Sequence, residues 1–125
     1  MRTDREYVIC KDIAMYLRLQ YPNVIYHFDY AGLNLSIAQA GKMKAIQGGK
    51  GWPDLFIAVP TFQYHGFYLE IKVENIKIRN KYGDPSTPHI LEQFNMLVNL
   101  RQHGYYAEFA IGFDEAKKMI DDYLK

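Results

Sequence analysis

The chain has 125 residues, a net charge of +1, 49% hydrophobic and 23% charged residues, which suits one globular domain over 1–125 and excludes a disordered polyelectrolyte. Its single cysteine, Cys10, rules out an internal disulfide and any cysteine-built zinc site. No run approaches the roughly 18 apolar residues of a membrane span, and the opening MRTDREYVIC has no apolar signal core, so a soluble, cytoplasmic protein with no membrane partner is expected.

Residues 4 to 20 predict a helix with Asp4 in its first turn. Glu6, Cys10, Ile13 and Leu17 share one face, widened by Ile9 and Ala14, so Glu6 stands at the N-terminal end of the inward stripe. VIYHFDY, 24–30, predicts a strand, and AGLNLS a turn. A short helix follows from Ser36, its N-cap, to about Gln47. GGKGWP, 48–53, is a loop whose glycines let the backbone approach a ligand closely.

DLFIAVP, 54–60, reads as a central strand buried on both faces, and TFQYHG as a hairpin connection. GFYLEIKVEN contains the next strand, 67–73. Alternation puts Phe67, Leu69, Ile71 and Val73 on an apolar face, and Tyr68, Glu70 and Lys72 on the other. The polar stretch 74–87 reads as a mobile excursion. A helix starts at Thr87-Pro88 and stops at Gly104, with Ile90, Phe94 and Leu97 on its apolar stripe and Gln93 among them. A strand over 105–112 and an amphipathic helix over 113–124, with Phe113, Ala116, Ile120 and Leu124 inward, complete the chain. The order predicts a small α/β domain, a mixed sheet flanked by helices.

The chemistry-bearing residues are Asp54 at the start of one inner strand and Glu70 and Lys72 within the next. If these strands pair, the two carboxylates converge at one end of the sheet. At about 4 Å they repel by roughly 4 kcal/mol at an effective dielectric near 20. A cation between them relieves that repulsion, and hard oxygen ligands suit Mg²⁺ or Mn²⁺ with several waters retained. The Ile71 carbonyl is placed to complete such a shell, and Lys72 to hold or deprotonate an attacking water or to stabilise charge on a phosphate. The competing reading is a half-exposed Glu70–Lys72 ion pair beside a turn aspartate.

Two stretches are locally basic: Lys42, Lys44 and Lys50 in KMKAIQGGK, and Lys77, Arg79 and Lys81 in KIRNK. Either binds phosphates or forms solvated surface. Trp52 reads as a loop plug rather than a base-stacking ring. His27, His65, His89 and His103 show no ligand spacing and read as structural or surface histidines.

WPDLF followed by LEIK resembles the PD-(D/E)xK nuclease signature, as Pro53-Asp54 and Glu70-Ile71-Lys72. The order of Glu6, GGKGWPDLF, GFYLEIK and LEQFNML with Gln93 is similar to the VRR-NUC branch, the virus-type replication–repair nucleases. The long polar segment between Lys72 and Gln93 departs from that branch's more compact pattern.

The resemblance implies a restriction-endonuclease-like core and a Mg²⁺- or Mn²⁺-dependent phosphodiesterase acting on DNA. It implies metal ligation by Asp54, Glu70, the Ile71 carbonyl and Glu6, the last directly or through water. Lys72 would assist the nucleophile, and Gln93 would orient Lys72 or a water. Small stand-alone members resemble phage Holliday-junction resolvases acting as homodimers on branched DNA, and dimerisation suits a small domain with few phosphate contacts. The alternatives are a non-catalytic DNA-binding or assembly module of the same fold, and a restriction-type or flap nuclease.

Overall fold

The computed structural model describes residues 4–29 and 35–125. Its elements in chain order are α1 (Asp4–Gln20), β1 (Tyr26–Phe28), α2 (Ile37–Ile46), β2 (Leu55–Ile57), β3 (Phe67–Lys72), α3 (Pro88–Gln102), β4 (Tyr106–Ile111) and α4 (Gly112–Leu124). The strands form one mixed sheet in the order β1-β2-β3-β4, with β1–β2 and β2–β3 antiparallel and β3–β4 parallel. The parallel pair requires a crossover, and α3 supplies it.

Alternation along β3 divides the interior into two layers. Phe67, Leu69 and Ile71 join Leu55 and Ile57 of β2 in a core closed by Ile9, Ile13 and Leu17 of α1 and Ala116 and Ile120 of α4. The opposite face carries Tyr68, Ala107 and Phe109, packed under Ile90, Leu97 and Leu100 of α3. Helix α3 opens as its sequence predicts: Thr87 is the N-cap, its hydroxyl accepting from the Ile90 N–H at 3.1 Å, and Pro88 follows where no N–H is needed. Helix α2 has Ser36 and Gln39 in a reciprocal capping box but buries none of its residues.

Three expectations change. The strand expected over 54–60 is confined to Leu55–Ile57. At Asp54 the side chain bonds the Ile71 N–H of β3 while the carbonyl accepts from the Asp29 N–H at 2.8 Å, and Pro60 has no N–H to extend the pairing. The strand expected over 24–30 is Tyr26–Phe28; Tyr30 and residues 31–34 of the expected turn lie outside the described residues.

The segment 74–87, expected to be mobile, is instead a self-bonded loop. Asn80 accepts from the N–H groups of Tyr82 and Asp84 through its side-chain oxygen, Ser86 donates to the Lys77 carbonyl at 2.7 Å, and Ile78 enters the α3-side core. Its polar composition concealed a loop that satisfies its own backbone. Among the described residues no helix is long and apolar enough to cross a membrane.

Candidate active site

The antiparallel register pairs Leu55 with Leu69, so one step further sets Asp54 opposite Glu70. Both belong to the face that α3 covers. Asp54 is held there by its own carboxylate, whose Oδ2 accepts the Ile71 N–H at 2.8 Å. Lys72 lies two residues beyond Glu70 on the same face, with Nζ 3.7 Å from Glu70 Oε2. From α3, Gln93 reaches down and donates through Nε2 to Glu70 Oε2 at 3.1 Å.

Among the described residues the buried polar and charged side chains are these four: Asp54, Glu70, Lys72 and Gln93. Each is less than a tenth exposed. Burying a charge is unfavourable unless partners replace its hydration. Here two carboxylates, one ammonium and the Gln93 amide share an otherwise apolar layer.

The loop before Asp54 is fixed by contact with α3. Gly51 has φ +79°, and a Cβ there would lie 2.5 Å from the Glu92 carbonyl oxygen. Only glycine allows that approach. The glycine expected to bring backbone near a ligand therefore brings it onto α3, beside Gln93, which draws Asp54 and Gln93 to one place.

His89 was not singled out by the sequence, because one histidine in a first helical turn has no motif around it. Its Nε2 stands 3.3 Å from Gln93 Nε2. Burial of the ring's inner edge, then the Lys72 ammonium, holds His89 below its ordinary pKa even though the residue is largely exposed. The ring is thus neutral at pH 7, and its Nδ1–H tautomer accepts from the Gln93 amide. With both amide hydrogens engaged, by Glu70 and His89, Gln93 Oε1 is buried without a partner. The reverse amide orientation would press Oε1 against the Glu70 carboxylate, so the network itself selects this one.

The donor set fits a hard divalent ion. Asp54 and Glu70 supply two carboxylates beside an unmatched Gln93 oxygen, and Mg²⁺ typically takes one or two carboxylates and keeps waters. Among the described residues no three His, Cys, Asp or Glu side chains gather into a metal-holding group. Helix α1, which carries Glu6, packs on the Phe67–Leu69–Ile71 side of the sheet.

The six basic candidates are all exposed. Lys42 and Lys44 lie on α2, Lys50 sits beside Glu92 and Asn95 of α3, and Lys77, Arg79 and Lys81 belong to the 74–87 loop. Arg79 is engaged within that loop: it donates to the Gly83 carbonyl at 2.7 Å and lies over the Phe94 ring at 5.4 Å. Trp52 packs on Tyr68 in the α3-side core.

A four-stranded mixed sheet with helices on both faces, and Asp, Glu and Lys on its two central strands, defines a PD-(D/E)xK-like α/β core. Among solved structures the chain is similar to a "VRR_NUC domain protein", at 25% identity and TM-score 0.65, over 98% of this chain and 90% of that one. The chain has the VRR-NUC fold, the fold of a nuclease family. No protein-family model matches it, and no curated protein does.

Proposed function

We propose that this protein is a divalent-metal-dependent DNA endonuclease that hydrolyses phosphodiester bonds at Asp54, Glu70 and Lys72. One observation carries the reading. The buried polar side chains of the described interior, Asp54, Glu70, Lys72 and Gln93, are the residues that such chemistry needs. A structural ion pair alone would need neither the second carboxylate nor the Gln93 oxygen left without a partner.

Asp54, Glu70 and the Ile71 carbonyl would hold Mg²⁺ or Mn²⁺. When bound, the ion lowers the pKa of water and polarises a phosphate oxygen. Lys72 orients the attacking water and stabilises charge developing on the phosphate. Gln93, its amide hydrogens held by Glu70 and His89, offers Oε1 as an acceptor for that water or for Lys72. Glu6 contributes directly or through water. Lys42, Lys44, Lys50, Lys77 and Lys81 supply the exposed positive charge for DNA phosphates.

Plasmid nicking with Mg²⁺, with Mn²⁺ and with EDTA tests the assignment. Cutting is expected with either metal and absent in EDTA, and Asp54→Ala and Lys72→Ala are expected to abolish it. Wild-type cutting by both variants would remove the site from the chemistry, and a folded protein that never cuts would favour a binding module. The finer expectation, a homodimer selective for branched DNA, rests on the family resemblance. Symmetric cuts on a four-way junction by a dimer in light scattering would support it; a monomer that cuts only flaps would not.

A further inference from the structure

The sheet face bearing the carboxylates continues past them into an aromatic cleft. The register aligns His27 with Phe56 and Phe56 with Tyr68 as a row across β1, β2 and β3. Phe56 and Tyr68 stack with ring centres 4.6 Å apart at 28°, and His27 meets the Phe56 edge at 6.3 Å. Helix α3 packs chiefly over β4, and over β1 and β2 the same face opens into a cleft of about 210 Å³.

Trp52 forms one wall, tilted against Tyr68 at 6.2 Å. Asp29 and Gln47 stand at the rim, with Gln47 Nε2 donating to Asp29 Oδ1 at 3.3 Å. Asp54 belongs to this cleft as well as to the carboxylate pair. The cleft and the proposed metal position therefore share a wall.

Three features identify the ligand class. The cleft is smaller than the roughly 300–1,000 Å³ of sites for drug-sized ligands, so it suits a single planar ring system. Its floor is aromatic, and its rim has a carboxylate and an amide, complementary to a base face and a base edge. The Trp52 indole N–H, buried with no acceptor among the described residues, would gain one from a ring nitrogen or carbonyl of such a ligand.

We propose that this cleft holds one unpaired nucleobase of the DNA strand being cut, at the nucleotide next to the scissile phosphate. The proposal rests on the nuclease reading for the placement of that phosphate. A base inside a duplex shows neither its faces nor its pairing edge, so only an unpaired or extruded base can enter. The pocket would thus select DNA in which pairing fails beside the cut.

Trp52 is the only tryptophan, so intrinsic fluorescence reports this cleft. The experiment titrates the protein, in EDTA, with a duplex carrying a single bulged adenine and with the same duplex carrying an abasic bulge. The bulged adenine is expected to shift Trp52 emission and to bind about tenfold tighter than the abasic duplex. His27→Ala, at an exposed position, and Phe56→Leu should each shrink that ratio severalfold with unchanged circular dichroism. Equal affinity and equal emission for the two duplexes would overturn the proposal, as would a ratio that neither substitution alters.

Because no metal is present, the outcome separates from hydrolysis. A retained base preference without cutting in Mg²⁺ rejects the nuclease reading and keeps the cleft. Cutting without base preference rejects the cleft and keeps the nuclease.

Discussion

Replacing Lys72 with methionine separates a structural ion pair from a metal site. Lys72 Nζ is 3.7 Å from Glu70 Oε2, and both side chains are about 95% buried. At that separation the attraction is about 4–5 kcal/mol at an effective dielectric near 20. Removing one partner of a buried pair typically costs about 3–5 kcal/mol, because the other charge stays buried. The methionine side chain fills the lysine stem's space, so Lys72→Met should lose about 3 kcal/mol.

For a chain of 125 residues, each kcal/mol moves the melting midpoint by about 4 °C, so the apo variant should melt about 12 °C below wild type. A divalent ion at ten times its Kd adds about 1.4 kcal/mol, or about 6 °C, to the wild type. The variant lacks the competing ammonium, so its carboxylates should bind the ion more tightly and its metal-induced shift should exceed that of the wild type. Circular-dichroism melts in EDTA and in Mg²⁺ or Mn²⁺ measure both quantities. An apo midpoint within about 3 °C of wild type, or a metal shift no larger than the wild type's, would refute the reasoning.

Three further outcomes follow from other parts of the molecule. His89→Leu should lower metal-dependent nicking about tenfold with little change in melting, because Gln93 loses the acceptor that fixes its amide; His89→Gln should restore part of it, and equal rates for all three proteins would exclude this positioning role. Gly51→Ala should cost about 2 kcal/mol or more and reduce nicking as well, since φ is +79° and the Glu92 backbone fills the Cβ position; a wild-type melt would contradict the docking of that loop. Burial would raise Asp121, but the Tyr16 and Tyr21 hydroxyls and Lys117 outweigh it and lower its pKa from 3.8 to about 2. A depressed carboxylate contributes stability above its unfolded pKa and loses it as pH falls through the folded value, so about 2 kcal/mol should disappear between pH 4 and pH 2. In Tyr16→Phe/Tyr21→Phe the folded pKa moves back up, so that loss should shrink in acid melts; an unchanged acid limb would show that the two hydroxyls do not hold Asp121 down.

The sequence alone determined the elements, because local periodicity and capping chemistry are local quantities. Thr87-Pro88 opened α3 and Ser36 capped α2 where expected, and the alternation in FYLEIK assigned each β3 residue to its face. The same alternation put Glu70 and Lys72 together and left Asp54 to meet them once β2 and β3 paired. Only the tertiary structure decided what depends on packing between distant segments. It buried the charged cluster, brought His89 to Gln93, turned Gly51 toward α3 instead of a ligand, and folded the polar 74–87 stretch onto itself. It also laid α1, and with it Glu6, on the Phe67–Leu69–Ile71 side, a matter of which sheet face a helix covers. A helix's own periodicity says which residues face inward; which side of the sheet lies there is settled by the global burial of apolar surface.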